Sequence, residues 1–167
     1  MPASSGGTRY EDEELDSLFK AVGFVVVQWG QAEQSLDMLV AMIYQQLGGK
    51  QFAKRLPKML STKLEFLTEC LSNISALAPF KAEGDALVVD FQRLSDRRHD
   101  LIHGAVASLS PQNGAFVFAK FDIENDFHRV REFRFEIADF PALTKELIDL
   151  GGHATTLARC IWELVPK

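Results

Sequence analysis

Leu15, Leu18, Phe19, Val22, Val26, Trp29, Leu36, Leu39, Val40, Ile43 and Leu47 recur at three- and four-residue spacing with no proline among them. Apolar residues at that period line one face of an α-helix, so the first third of the chain predicts one amphipathic helix. It is well beyond the common length of about three to four turns. Glu11-Asp12-Glu13-Glu14 places negative charge at the positive end of its dipole, and Gly48-Gly49 stops it. Gly23 and Gly30 inside it mark either close helix contact or a kink. Residues 1–10, small and polar for the most part, read as a disordered leader.

The same period returns three times. A second helix is predicted from about Ser61 to Leu77, with Leu64, Leu67, Leu71 and Ile74 as its core stripe and Pro79 as a break. A third starts near Lys81 and runs through Val88, Phe91, Leu94, Leu101 and Ile102, with Gly104 placed to be its left-handed cap. Then the period changes. Ala105–Leu109 and Ala115–Phe121 flank the turn signal Ser110-Pro-Gln-Asn-Gly114, and Val130–Ile137 alternates as a third strand. A last helix begins near Pro141, with Asp139 as its cap, and carries Leu143, Leu147, Leu150, Leu157, Ile161 and Leu164. The predicted class is mainly α: a four-helix bundle with a small antiparallel β-meander, about 105–137, inserted before the last helix. One domain over 11–165 suits a chain of 167 residues.

Composition narrows the function classes. A net charge of −5 argues against a strong, diffuse grip on long nucleic acid, while leaving room for a local basic patch. The longest apolar run, Val22 to Val27, is far too short to cross a bilayer, and the start carries no apolar signal segment. Cys70 and Cys160 form neither a zinc spacing nor a disulfide framework, which fits buried, reduced thiols in a cytoplasmic protein. No phosphate-binding glycine loop, nucleophile elbow or cofactor fingerprint is present, so no cofactor is expected.

The most informative segment is Arg97-Arg98-His99-Asp100-Leu101-Ile102-His103-Gly104. Arg98 shares the core-facing side of the third helix with Leu94, Leu101 and Ile102, and an arginine there must find anionic partners. Asp96, His99 and His103 form a second row at spacings of three and four. His103 stands in the last turn, where the helix dipole favours positive charge.

Arg98-His-Asp-Leu-Ile-His103 resembles the R-x4-6-H signature of the HEPN superfamily, helical-bundle domains many of which are metal-independent ribonucleases. His99 follows the arginine where that family often places a polar residue. Trp29-Gly-Gln-Ala-Glu-Gln-Ser-Leu36 is similar to the polar-in-apolar pattern of the family's first helix, with Glu33 as the embedded acid. The predicted meander departs from the minimal bundle and leaves the subfamily open. The resemblance implies RNA cleavage by attack of a 2′-hydroxyl on the adjacent phosphate, in a toxin or defence role. Arg98 would grip the phosphate bidentately and His103 would act as general acid or base. His99 would be a second proton carrier or would orient the phosphate. Glu33, Asp96 and Asp100 are supporting carboxylates. Such proteins pair their motifs across a homodimer, and an antitoxin or other protein partner follows from a toxin role. Lys54, Arg55 and Lys58, on a connector over 50–63 rich in lysine, are the residues expected to contact RNA backbone.

Plainer readings stand beside these. Arg98 can serve as a bundle arginine paired with Glu33 or another acid, and His103 can simply cap its helix. Many HEPN domains are non-catalytic modules that bind nucleotide, RNA or a protein. His99 and His103 with Asp96 make a thin metal set. His128 and His153 read as incidental, the connector lysines as solvated, and Trp29 and Trp162 as core packing.

Overall fold

The computed structural model describes residues 9–107, 115–124 and 127–165. It contains four α-helices, α1 (Arg9–Gln46), α2 (Leu60–Asn73), α3 (Lys81–His103) and α4 (Asp139–Trp162). Three strands, β1 (Ala105–Val106), β2 (Ala115–Glu124) and β3 (Phe127–Glu136), form an antiparallel sheet of order β1-β2-β3 before α4. The expected class, mainly helical with a small meander ahead of the last helix, is what the chain adopts. α1 begins at Arg9, inside the expected leader; residues 1–8 and the expected turn at 110–114 lie outside the described residues. Both long strands exceed their expected limits, because ten successive residue pairs from Ala115↔Glu136 to Glu124↔Phe127 extend the hairpin toward residues 125–126.

The residues divide into two compact units, and α1, α3 and α4 each contribute to both. In the first, 1–26 with 96–145, the core gathers Leu18, Val25, Leu101, Phe116, Phe118 and Leu143. Aromatic rings knit it together: Phe118 stacks on Phe133 at 5.5 Å and meets Phe135 edge-on at 5.6 Å. In the second, 27–95 with 146–167, Leu36, Ile43, Leu67, Leu87, Phe91 and Ile161 are buried, and Trp29 packs edge-on against Phe91 at 5.7 Å.

The buried stripe of α1 differs from the expected one. Leu18, Val25, Trp29, Ala32, Leu36, Leu39 and Ile43 are buried, at one step of seven and then steps of four and three, joined by the expected Val40 and by Met42, whereas Phe19 and Val26 are exposed. Steps of three and four keep one seam inward, widened near its end by Val40 and Met42, and Phe19 and Val26 fall one position past it. Trp162, expected in the core, is 63% exposed and lines an open apolar groove with Met38 and Met42. It sits in the last turn of α4, beyond the final buried position, Ile161.

The helix ends follow local chemistry. Gly48 takes φ 87°, the left-handed conformation that closes α1. α2 stops at Asn73 and not at Leu77. Ser72-Asn73-Ile74-Ser75 is a run of poor helix formers, Ile74 is extended, and Ser75–Phe80 continues as a 3-10 turn. Gly104 is not a left-handed cap: among the described residues, Gly48 is the glycine with positive φ. Its role is space: a Cβ there would lie 2.6 Å from Phe133 Cζ and 2.7 Å from the Asp100 carbonyl. Gly23 and Gly30 have no heavy atom within 4 Å of where a Cβ would stand, so neither mediates close packing, and α1 runs through both.

Candidate functional site

The last two turns of α3 bring the sequence motif into the first unit. His99 and His103, one helical turn apart, are both exposed, with ring centroids 4.5 Å apart. Arg98 is half-buried, its Nε fully so. Asp96 is exposed on the same helix.

Asp100 turns toward the sheet. Lys120 Nζ donates to its carboxylate at 3.1 Å, and Arg131 donates through both terminal nitrogens at 2.7 and 3.2 Å. Arg131 also donates Nε to Asp122 Oδ2 at 3.1 Å and lies over the Phe133 ring at 5.3 Å. Burial pushes the Asp100 carboxyl up, but the hydrogen bonds from Arg131 and Lys120 outweigh it and hold it below the ordinary carboxylate value. The same bonds, from Asp100 first and then Asp122, raise Arg131. Asp100 therefore ties α3 to β2 and β3. The close approach of Gly104 to Phe133 and to Phe118 Cβ serves the same joint.

This network shapes the field at His99. Partial burial lowers the His99 imidazole first; the positive charge of Lys120, then His103 and Arg98, lowers it further, against an opposing pull from Asp100. His99 is thus the group biased toward the neutral, proton-accepting form. Sequence reading missed Lys120 and Arg131. The available signal was parity: with the phenylalanines at 116, 118, 133 and 135 pointing inward, Lys120 and Arg131 fall on that same apolar face, where a charge must find a carboxylate.

The remaining expected residues belong to the second unit. Glu33 accepts from Trp29 Nε1 at 3.0 Å and pairs with Lys63 at 3.5 Å. Lys63, expected on a solvated connector, is 5% exposed on α2 and also bridges Asp37. Its position in the first turn of α2, beside buried Leu64, turns it inward. Lys54, Arg55 and Lys58 are exposed, and Arg55 and Lys58 border a cleft that includes Glu65 and Glu69 of α2. Those two carboxylates offset the positive charge expected of the connector. His128, by contrast, lies in the first unit and stacks on exposed Phe121 at 5.2 Å.

Among the described residues, no three His, Cys, Asp or Glu side chains group closely enough to hold a metal ion. No described helix is long and apolar enough to cross a membrane. Compared with protein-family models, curated proteins and solved structures, the chain matches none.

Proposed function

We propose that this chain is a metal-independent endoribonuclease of the HEPN type, acting in a toxin or defence role in the cytoplasm and working as a homodimer. The observation that carries the reading is the exposed His99–His103 pair, 4.5 Å between rings, set in the positive field of Lys120 and Arg98. Cleavage requires one group to take the proton from a 2′-hydroxyl. A second group gives a proton to the departing 5′-oxygen as the new oxygen–phosphorus bond closes a 2′,3′-cyclic phosphate. Two imidazoles on one face supply both roles within one chain. His99, lowered toward its neutral form, suits the base and His103 the acid. Arg98 stabilises the charge growing on the phosphate oxygens.

Half-burial of Arg98 supports a second reading, in which the arginine is structural and the domain is a non-catalytic module for nucleotide, RNA or a protein partner, such as an antitoxin. Incubation with single-stranded RNA in excess EDTA separates the two. The nuclease yields cyclic-phosphate or 3′-phosphate ends and loses at least about a hundredfold in rate in His103→Ala and Arg98→Ala. Its rate rises with pH through a value below the ordinary 6.5 of histidine, a limb that disappears in His99→Ala. A folded wild-type protein that leaves RNA intact excludes the enzyme and leaves the module.

A further inference from the structure

β3 is an edge of the sheet: its inner side pairs with β2 along ten residues, and no described strand pairs with its outer side. An open edge of that length is a template for a further strand. We propose that β3 pairs antiparallel with β3 of a second copy of this chain, about a two-fold axis through Phe133, giving one continuous six-stranded sheet.

The strand's own charges select that partner and that register. Directly opposed residues of an antiparallel pair lie on the same face, so the inner faces of the two copies stay continuous only when the axis passes through a residue. The centres that pair most of the strand run from Val130 to Phe133, with Arg134 next. An axis at Val130 opposes Arg129 to Arg131, and axes at Arg131, Glu132 and Arg134 oppose each of these charges to itself. An axis at Phe133 sets Glu132 against the partner's Arg134 twice and opposes no like charges. It also brings together the two copies of Phe133, whose ring already stacks on Phe118. Glu132 and Arg134 are exposed, on the sheet face opposite to Phe133 and Phe135. The new carboxylate–guanidinium pairs therefore form at the surface, while Arg131, bound to Asp100 and Asp122 on the other face, keeps its partners. None of this depends on ribonuclease activity.

Sedimentation velocity over a concentration series, with circular dichroism to check folding, tests it. The wild type is expected to dimerise. Glu132→Arg and Arg134→Glu each put like charges opposite one another twice and are expected to raise the dissociation constant roughly tenfold or more. Mixing the two variants restores both opposite-charge pairs, and association is expected to return to near the wild-type level. A wild type that stays monomeric overturns the proposal, since its edge charges would then be blocking association. A dimer indifferent to both substitutions, or single variants that remain apart when mixed, overturns it equally.

Discussion

Asp100 is the residue on which the motif and the sheet both depend, and it was expected only to support chemistry. Its folded-state carboxyl is held below the ordinary value, so its ionised form stabilises the fold. That contribution is present above the ordinary carboxylate value near 3.8 and is lost as the pH falls through the lowered one. Asp100→Asn is expected to cost about 1 kcal/mol at neutral pH, a modest figure because the joint is part-exposed. In urea titrations, the gap between variant and wild type should close below the ordinary carboxylate range. A gap of the same size at both pH values would mean that the carboxylate's charge plays no part. Cys70 illustrates the opposite environment. Burial, and then the neighbouring Glu69, pushes its thiol up to about 12, so the thiolate is absent at neutral pH. A thiol reagent at pH 7.5 should leave Cys70 unmodified in the native protein and reach it only after denaturation, as peptide mapping would reveal.

At the scale of elements, glycines show how the same residue type answers different demands. Gly104 sits where α3 meets the hairpin, with Phe133 and the Asp100 carbonyl in the space a Cβ would take. Gly104→Ala is expected to destabilise by about 1–3 kcal/mol, since the intruding methyl must displace an aromatic ring or a helix carbonyl. Gly152 lies in the interior of α4 with nothing within 4 Å of its Cβ position. Gly152→Ala is expected to stabilise by about 0.4–1 kcal/mol through the lower entropy of the unfolded chain. Thermal melts of the two variants should therefore move in opposite directions. A shared sign would contradict the close approach at Gly104 or the open space at Gly152. Sequence pattern singled out Gly104 alone, and as a cap; it could not tell these roles apart, because what matters is the atom facing each glycine.

Across the whole molecule, three of the four helices supply residues to both compact units, so a unit cannot unravel without breaking helices that continue into the other. One cooperative unfolding transition is expected, with ellipticity and tryptophan fluorescence changing at the same urea concentration; separated midpoints would show that the units unfold independently. The sequence by itself determined the elements: helical period in four stretches, the Gly48-Gly49 stop, the switch to alternation after Gly104 and the motif at 98–103. These are local properties, set by side-chain spacing and backbone preference within a few turns, and they are legible without knowing what lies opposite. Only the tertiary structure decided which apolar residues of α1 form the seam and that Lys63 is buried beside Glu33 and Asp37. It also decided that Asp100 is shared by Lys120 and Arg131 from strands about twenty and thirty residues further on. A helix shows its period but not its partner, and a charge shows its need for a counter-ion but not which one the fold delivers.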